Sequence, residues 1–542
     1  MAEFKDFFRS LKEVGNSGEA FEHFCKWFLE NDHYWKTQTE KVWLWDDWPE
    51  RWDKDKGIDL VFRHKNGEYW AVQSKCYDSL YSIKKEDVDS FLSESNRAKI
   101  SKRLLIASTN RIGRNAIETI EGQEKPVIRF LLDDFESAGP VYPSSIKNLT
   151  ISKPRSLNNE RRSYQEEAVN NVIRCFSNYE RGQLIMACGT GKTFVNLWVK
   201  ERLGSKNTLV LFPSLSLLSQ TLHEWTRNCK EPFEVLCVCS DTTVGQEGRQ
   251  EDLKVSEAAF DVTSRIKVIG DFLKGNKPKV IFCTYQSSEL IAKAQGKTKI
   301  DLMICDEAHR CAGVGNASFT RVLDNDFINT DKRLFATATP RIFSKGTAKS
   351  AELRGSKIYG MDDDRVFGPI FFQYDFSQAI EEEWLTDYQV VIVGVDQPTI
   401  KTYIDERELV TAENGILSNA ESLAAKISLL KATNEFDLKR VISFHNRVNS
   451  AKDFAAEYNV LIDLIEKDKR PSGRIWTDFV SGTMSAKQRK MKIQRLKDIS
   501  SEERGLIANA RCLAEGVDVP SLDGVAFIDP RSSEIDILQA VE

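Results

Sequence analysis

The feature that most constrains the fold of this chain is a glycine-rich stretch between an apolar run and a helical run. It reads Met186-Ala-Cys-Gly-Thr-Gly-Lys-Thr193, and residues 194–203 after it have an amphipathic helical pattern. Glycines let such a loop curl so that several backbone N–H groups point at one anion, and the N-terminus of the following helix adds partial positive charge. The pattern therefore predicts a phosphate-binding loop at the end of a strand.

The polar residues of this loop have distinct expected roles. Lys192 is placed to reach the terminal phosphates of a nucleotide, and the Thr193 hydroxyl is placed to bind Mg²⁺. The predicted nucleotide-binding residues of the loop are Gly189, Thr190, Gly191, Lys192 and Thr193. Because Met186 stands where the general pattern has its first glycine, an ordinary glycine-rich turn is the alternative interpretation of the loop alone.

Two acids after another apolar run support the nucleotide interpretation. Leu302-Met-Ile-Cys305 has the pattern of a buried strand, and Asp306-Glu307-Ala308-His309 follows it directly. A carboxylate at the carboxyl edge of the sheet that carries a phosphate loop is placed to hold Mg²⁺. We expect Asp306 to take that role and Glu307 to orient and deprotonate the attacking water. Loop and acids together predict an ATP and Mg²⁺ site.

Short apolar runs alternate with longer amphipathic segments, which is typical of parallel sheets covered by helices. The predicted strands form two groups, 184–187, 209–212, 280–283, 302–305 and 334–336, then 390–393, 441–444, 479–480, 506–508 and 525–528. Proline- and glycine-rich stretches at 139–156 and 360–375 are predicted to be joints. We therefore predict an α/β chain with domains at 1–150, 151–370 and 371–542.

Composition narrows the class of protein. The 542 residues are 41% hydrophobic and include 30 Phe and 11 Trp, which is ample material for several buried cores. No apolar run approaches the roughly 20 residues that cross a bilayer, and the 11 cysteines include no Cys-x-x-Cys pair. We expect a cytoplasmic protein with reduced thiols and no membrane partner. The net charge of −5 neither requires nor excludes a nucleic-acid partner.

The N-terminal region contains a predicted hairpin with three polar residues that can converge. Asp59 lies in one apolar run, and Gln73 and Lys75 lie in the next, after the turn Lys65-Asn-Gly67. Residues 73 and 75 of a strand share a face. We expect the oxygens of Asp59 and Gln73 to hold a divalent metal and Lys75 to position or activate a water against a phosphodiester. A solvated strand face with an unrelated acid is the alternative.

From residue 161 onwards the chain resembles the DEAH-box helicases and translocases of superfamily 2, which implies two RecA-like domains. The motifs that carry the resemblance, besides the loop and the acids, are Arg162–Glu167, Phe212–Leu215, Thr284–Ser287, Thr337–Pro340, Ser443–Arg447, Ser481–Thr483 and Cys512–Pro520. The resemblance implies that Gln165 reads adenine and that Asp518 belongs to the nucleotide site. It also implies that loops of the two domains grip a phosphate backbone.

One motif departs from that family. Its last motif, Gln-x-x-Gly-Arg-x-x-Arg, supplies an arginine to the transferred phosphate, whereas this sequence has Gln539-Ala-Val and then Glu542. Such an arginine contributes about 10³–10⁵ in rate in phosphoryl transfer. We therefore expect ATP binding with slow turnover from these residues alone, and either a longer parent polypeptide or a truncated natural variant.

The N-terminal hairpin resembles the PD-(D/E)xK nucleases, specifically the Mrr-like branch, in which glutamine can replace the middle acid. Gly18-Glu-Ala-Phe21-Glu22 resembles the opening motif of that branch, which implies that Glu22 faces the metal site. The segment 83–91 fits the helix that follows. Aromatic residues between Tyr34 and Trp52 are expected to pack in a core rather than to stack on bases.

A nuclease-like domain followed by a motor is the order of Type ISP restriction enzymes, in which a coupler, a methyltransferase and a target-recognition domain follow. This resemblance implies an ATP- and Mg²⁺-dependent translocase on double-stranded DNA that cleaves phosphodiesters to restrict foreign DNA. Two alternatives stay open. One is an RNA-directed helicase, and the other is a nucleic-acid-binding defence or regulatory protein with an inactive nuclease site.

Overall fold

The computed structural model contains two compact units, one reaching Asp375 and one beginning at Phe376. The described residues are 4–13, 16–53, 57–138, 142–143, 145–149, 161–240, 253–314, 318–344, 346, 353, 357–392, 420–464, 470–482, 484–510 and 522–529. Within these ranges, every helix is too short or too polar to cross a membrane.

The first unit begins with a five-stranded sheet of order β1-β2-β3-β5-β7. Strands β1 to β3 are antiparallel neighbours, whereas β3, β5 and β7 are parallel. The strands of this region are β1 (Thr39–Leu44), β2 (Leu60–His64), β3 (Tyr69–Lys75), β4 (Ser82–Ile83), β5 (Ile100–Ala107), β6 (Arg111–Ile112) and β7 (Val127–Phe130). Its helices are α1 (Phe4–Lys12), α2 (Ser17–Asn31), α3 (Trp35–Gln38), α4 (Glu86–Glu94), α5 (Arg114–Glu121) and α6 (Leu132–Ser137).

Aromatic side chains fill the core of this region, as the sequence predicts. Trp35 and Trp48 are fully buried, and Phe28 packs at 5.0 Å from Phe130 between α2 and the sheet. Side chains of α4, such as Phe91, cover the other part of the core. Burial of this much aromatic surface fixes β2 and β3 between helical layers.

The first unit continues with an eight-stranded parallel sheet of order β11-β10-β12-β9-β13-β15-β8-β17. Its strands, with the small pair β14 and β16, are β8 (Arg181–Met186), β9 (Asn207–Phe212), β10 (Glu234–Val238), β11 (Val262–Thr263), β12 (Lys279–Thr284), β13 (Ile300–Cys305), β14 (Gly313–Val314), β15 (Thr330–Thr337), β16 (Ile358–Tyr359) and β17 (Ile370–Tyr374). The helices are α7 (Ser163–Cys175), α8 (Lys192–Leu203), α9 (Leu215–Asn228), α10 (Ile266–Lys274), α11 (Ser288–Gln295) and α12 (Asp364–Phe367). We call this region the first motor domain.

The second unit contains a four-stranded parallel sheet of order β19-β20-β18-β21. Its elements are α13 (Phe376–Glu381), α14 (Ala420–Glu435), β18 (Arg440–His445), α15 (Val448–Leu464), β19 (Arg474–Ser481), α16 (Ala486–Lys497), β20 (Glu503–Ala510) and β21 (Gly524–Phe527). Side chains of α14 and α15 such as Leu430 and Phe454 pack with β18 and β20 in one core. The fold is therefore mixed α/β with parallel sheets, as predicted.

Two expectations about strands were wrong, and several strands were missed. Residues 390–392 are described without a strand, although 390–393 has a strand-like pattern. Conversely, β17 lies inside the predicted joint at 360–375 and pairs in parallel with β8. The turn residues Gly368 and Pro369 suggested a joint there, but they only precede an edge strand. Strands β1, β5, β7, β10 and β11 of the two large sheets were not predicted.

Candidate nucleotide and nuclease sites

The glycine-rich loop joins the carboxyl end of β8 to the first turn of α8. Gly189 and Gly191 have φ angles of +75° and +87°, in the left-handed region that favours glycine. A Cβ at Gly191 would lie 2.5 Å from Nε2 of Gln165. The Thr190 hydroxyl donates to the Ala187 carbonyl at 2.5 Å, which closes the turn. This loop therefore has the backbone shape that a phosphate cradle requires.

Gln165 and Tyr164, at the start of α7, anchor this loop. The Gln165 amide and the Tyr164 hydroxyl each donate to the Thr190 carbonyl at 3.0 Å. Gln165 Oε1 also accepts the Arg162 backbone N–H at 3.0 Å. A glutamine amide still has one N–H and one lone pair available after these bonds. Adenine recognition by Gln165 stays a prediction, and holding the loop is a task that the sequence did not reveal.

The two acids lie in the same crevice as Lys192. Strand β15 separates β8 from β13, and parallel strands present their carboxyl ends at one edge. Lys192 Nζ lies 3.6 Å from Glu307 Oε1, and Lys192 is only 8% exposed. Glu307 has a φ of +48°, an uncommon conformation for a residue with a side chain. The loop and the acids, 115 positions apart in the case of Lys192 and Glu307, are thus brought together.

The pKa values of the two acids are shifted in opposite directions, because different charges surround them. Burial raises the pKa of Asp306, the neighbouring charge of Glu307 raises it further, and Lys192 only partly opposes them. Burial also acts to raise the pKa of Glu307, but Lys192 and His309 outweigh it and lower that pKa. Glu307 is therefore the ionised partner of Lys192, and Asp306 needs another positive charge to ionise fully.

Side chains around the acids link them to neighbouring motifs. His309 Nδ1 lies 3.4 Å from Glu307 Oε2 and 3.0 Å from the hydroxyl of Thr337 at the end of β15. The Tyr285 hydroxyl donates to the Asp306 carbonyl at 2.7 Å. Thr193 has its carbonyl bound to the Trp225 indole at 3.0 Å. Thr337 and Tyr285 belong to two of the motifs that resemble those of helicases. Their contacts to the acids were not predicted from the sequence.

The predicted nuclease residues lie at the junction of β2 and β3. Asp59 precedes β2, and its backbone N–H donates to the Val72 carbonyl at 3.0 Å. Asp59 Oδ2 accepts the Ser74 N–H at 2.6 Å and the Ser74 hydroxyl at 3.1 Å. The Asp59 carboxylate is therefore fixed beside the strand that carries Gln73 and Lys75.

Gln73 and Lys75 line a cleft of about 760 Å³ beside α4. Gln73 is 1% exposed, and its Nε2 donates to the Gly57 carbonyl at 3.2 Å. Its Oε1 has no hydrogen-bond partner among the described residues. A buried carbonyl oxygen without a partner is costly in a protein interior. This oxygen therefore suits a ligand that supplies positive charge.

Glu22 of α2 lies near the same strands. Burial raises the pKa of the Cys25 thiol, and the charges of Asp59, the Cys76 thiol and Glu22 raise it further. Asp59 and Glu22 therefore both act on Cys25, which is completely buried. This common neighbour is consistent with the predicted grouping of Glu22 and Asp59, although a shared metal stays a prediction.

Helix α4 contributes Asp87 to the lining of the cleft, and the sequence predicted no role for this residue. Asp87 accepts the hydroxyls of Tyr77 and Tyr81 at 2.9 and 3.1 Å and the Lys84 N–H at 2.7 Å. Burial acts to raise the pKa of Asp87, but these bonds and the charge of Lys75 lower it. The three partners lie 10, 6 and 3 positions before Asp87 in the sequence, so these contacts are local ones.

The residues of each site fit the ligand that the resemblance implies, which is a nucleotide with Mg²⁺ at one site and a divalent cation at the other. The loop with two left-handed glycines, the buried Lys192 and an acid with a raised pKa match a nucleotide with a divalent cation. In the nuclease cleft, the unpartnered Oε1 of Gln73 matches an oxygen ligand for a divalent cation. Within the described ranges, no three His, Cys, Asp or Glu side chains are grouped closely enough to hold a metal ion. Asp518 and the motifs at 512–520 and 539–542 lie outside the described residues.

Comparisons with protein families divide the chain in the same order. A restriction endonuclease family matches residues 30–146, the Type III restriction enzyme res subunit family matches 158–342, and the helicase conserved C-terminal domain matches 425–542. The chain thus carries an Mrr-like restriction endonuclease domain followed by helicase domains, which confirms the predicted combination.

Individual relatives support the same combination. The structure of the ATP-dependent Type ISP restriction-modification enzyme LlaBIII bound to DNA matches with a TM-score of 0.81 and 28% identity, covering 98% of this chain and 36% of that enzyme. The probable helicase A859L of African swine fever virus (isolate Pig/Kenya/KEN-50/1950) is 28% identical over 70% of this chain and 39% of its own length. The Type I restriction enzyme EcoAI endonuclease subunit of Escherichia coli is 24% identical over 43% of this chain and 24% of its own length. The chain therefore spans less than half the length of these relatives.

Proposed function

We propose that this chain is an ATP-dependent DNA translocase coupled to a Mg²⁺-dependent endonuclease that acts in restriction of foreign DNA. The observation that carries the motor part is the 3.6 Å ion pair between Lys192 and Glu307 in a crevice that also contains the phosphate loop. The observation that carries the nuclease part is the buried, unpartnered oxygen of Gln73 in the cleft that Lys75 lines.

At the nucleotide site, each residue has a proposed task. Lys192 binds the terminal phosphates and the loop N–H groups hold the neighbouring ones, while Thr193 and Asp306 would hold Mg²⁺. Bound Mg²⁺ would neutralise charge that develops on the phosphate oxygens. When phosphate takes Lys192, the ionised Glu307 is free to accept a proton from the attacking water. His309 contacts both Glu307 and Thr337, so a shift of Glu307 on nucleotide binding would also change the contact with the end of β15.

At the nuclease site, Asp59 and Gln73 would hold a divalent cation, with Glu22 near them. The cation would supply a Lewis acid for the phosphodiester. Lys75 projects from the same face as Gln73 and is proposed to orient the attacking water or stabilise the charge of the phosphate. Family resemblance and the match to LlaBIII, which is described as bound to DNA, support double-stranded DNA as substrate.

A second candidate has one observation in its favour. Within the described ranges, no trio of His, Cys, Asp or Glu side chains is grouped closely enough to hold a metal ion, and position 73 carries a glutamine instead of an acid. A nucleic-acid-binding defence protein with a motor but an inactive nuclease would have this feature. It predicts DNA binding and ATP hydrolysis without Mg²⁺-dependent cleavage.

Two substitutions separate the proposed activities. Lys192→Ala removes the phosphate clamp, so ATP hydrolysis should fall by about 10²–10³-fold and ATP-dependent DNA cleavage should fall with it. Lys75→Ala should abolish cleavage while ATP hydrolysis and triplex displacement continue at the wild-type rate. Lys299→Met is the matched control, because Lys299 forms an exposed ion pair with Asp331 away from both sites. Cleavage that survives in Lys75→Ala would reject the nuclease assignment, and displacement that survives in Lys192→Ala would reject the motor assignment.

A further inference from the structure

A segment of the first motor domain contacts the nuclease sheet through buried groups. Residues 254–263, which we call the linking segment, precede α10 and include β11, the edge strand of the motor sheet. Ala258 and Phe260 within it are each 2% exposed. Buried side chains therefore anchor the middle of the segment in the protein, while Lys254 and Ser256 are exposed.

Asp261 of this segment forms an ion pair with Lys102 of β5 in the nuclease sheet. Lys102 Nζ lies 2.6 and 2.7 Å from the two oxygens of Asp261, and the side chains are only 18% and 16% exposed. The same ammonium lies 5.1 Å from the ring centre of Trp70 on β3, the strand that carries Gln73 and Lys75. Asp261 is thus connected, through one side chain, to the strand of the proposed nuclease site.

Two further groups of the nuclease region contact the linking segment. The backbone N–H of Asp261 donates to the hydroxyl of Tyr34 at 2.8 Å, and Tyr34 packs edge-on against Phe260. The Arg129 guanidinium of β7 donates to the carbonyl of Ser256. Contacts from three separate parts of the nuclease region fix both the position and the orientation of its sheet against this segment.

On the side away from the nuclease sheet, the linking segment is connected by a series of contacts to Asp306 of the nucleotide site. Strand β10 pairs with β11, and soon after β10 the Ser240 N–H donates to the Ser287 hydroxyl at 3.0 Å. Tyr285, two residues before Ser287, donates to the Asp306 carbonyl at 2.7 Å. The linking segment is therefore connected, through β10 and Ser287, to the element whose Tyr285 contacts Asp306.

We propose that Asp261 is a positioning residue that fastens the nuclease sheet to the first motor domain, so that the two move as one rigid body along DNA. Removing one partner of a shielded ion pair leaves the other charge without compensation, so this pair holds the joint far better than an exposed pair would. The inference rests on the proposed function for its purpose: cleavage takes place at a fixed distance from the motor.

Hydrogen exchange of the 542-residue chain tests the joint without requiring any activity. In Asp261→Asn, amides of residues 254–263 and of β7 should exchange roughly tenfold faster, which corresponds to about 1.4 kcal/mol of lost protection. Tyr34→Phe removes a single hydroxyl and should have a smaller effect in the same direction. Asp331→Asn, which breaks an exposed ion pair of the same motor sheet, is the control and should leave both regions unchanged. Unchanged exchange in both Asp261→Asn and Tyr34→Phe would overturn the inference.

A functional readout separates positioning from general destabilisation. Asp261→Asn should keep the rate of ATP hydrolysis while cuts per ATP fall and cut positions spread. The charge exchange Lys102→Glu with Asp261→Lys should restore both protection and cut position towards wild type. If Asp261→Asn lost ATP hydrolysis and cleavage equally, and the double variant Lys102→Glu with Asp261→Lys restored neither, the inference would be overturned. Cleavage that persists in Lys75→Ala would instead contradict the proposed function. The hydrogen-exchange measurement would still show whether Asp261 holds the nuclease sheet against the linking segment.

Discussion

The nucleotide site and the nuclease cleft both lie at strand ends. The buried lysine of the nucleotide site has a counter-charge within the described chain, whereas a buried oxygen of the nuclease cleft lacks a partner there. At the nucleotide site, Lys192 already has a counter-charge in Glu307, and His309 and Thr337 continue the network. In the nuclease cleft, Gln73 Oε1 is buried and has no hydrogen-bond partner in the part of the chain that the structure describes. The first site exchanges one partner for another when its ligand arrives, whereas the second gains a partner that it did not have.

The difference follows from the sheets that carry the sites. A fully parallel sheet collects the ends of β8, β15 and β13 at one edge, so acids and loop meet there without help from other layers. The nuclease residues lie where antiparallel strands meet parallel ones, and the wall of the cleft comes from α4. We therefore expect Lys192 and Glu307 to keep their contact without a bound cation, whereas Gln73 in the nuclease cleft gains a partner only when a cation binds.

The largest expected effect comes from Glu307→Gln. This change keeps the size of the side chain and removes the carboxylate that is proposed to take the proton of water, so hydrolysis should fall by about 10²–10⁴-fold. ATP binding should persist or tighten, since Lys192 loses the counter-charge that competes with phosphate. Steady-state hydrolysis and equilibrium binding of a labelled nucleotide check both parts.

Asp331→Asn is the control for that substitution, because Asp331 lies on β15 and pairs with an exposed lysine. Hydrolysis by Glu307→Gln within a few-fold of wild type would move the water-activating role to another residue. Weaker nucleotide binding would contradict the exchange of partners at Lys192.

The nucleotide site could be predicted largely from sequence because its parts are local patterns. A strand, a turn with two glycines and a helix follow one another within about twenty residues, and each has its own periodicity. Asp306 and Glu307 likewise follow directly on an apolar strand. Placing both patterns at the carboxyl ends of strands in one parallel sheet, with only β15 between them, is enough to bring them together.

Contacts between distant parts of the chain could not be predicted in this way. Lys102 and Asp261 are 159 positions apart, and each has an ordinary charged-residue context. The anchoring of the loop by Gln165 depends on where α7 packs, and the pattern of residues 390–393 favoured a strand that tertiary structure does not form at 390–392. Pairing partners and packing decide such features, and sequence periodicity carries no information about them.

A smaller effect is expected from Gly191→Ala, which tests the shape of the loop. The new Cβ would lie 2.5 Å from Gln165 Nε2, and the left-handed conformation adds roughly 1–2 kcal/mol of strain. Nucleotide affinity should fall roughly tenfold, because that strain is relieved by opening the cradle. Titration of the nucleotide and the thermal midpoint of the protein would be measured together.

Gly204→Ala is the matched control for the strain of placing an alanine in a left-handed backbone conformation. Gly204 ends α8 with a φ of +62°, and a Cβ there would meet no atom within 4 Å. Both variants should lose similar thermal stability, but only Gly191→Ala should bind nucleotide more weakly. Equal affinities in the two variants would mean that contact with Gln165 does not maintain the cradle.

The smallest effect in activity is expected from Gln73→Glu, and it tests whether the cation completes the nuclease cleft. The new carboxylate places a charge where Oε1 is buried and loses the donor to the Gly57 carbonyl, so without divalent cation the free energy of unfolding should fall by about 1–3 kcal/mol. Added Mg²⁺ should restore that loss and support cleavage at a several-fold lower concentration than in wild type, because an anionic ligand binds it more tightly. Gln183→Glu is the control, since Gln183 is equally buried but donates to two carbonyls far from the cleft, and its loss should not respond to Mg²⁺. If thermal unfolding of Gln73→Glu were equally insensitive to Mg²⁺, the oxygen of Gln73 would not be a cation ligand. The proposed difference between the nucleotide site, which has its own counter-charge, and the nuclease cleft, which needs a cation, would then be wrong.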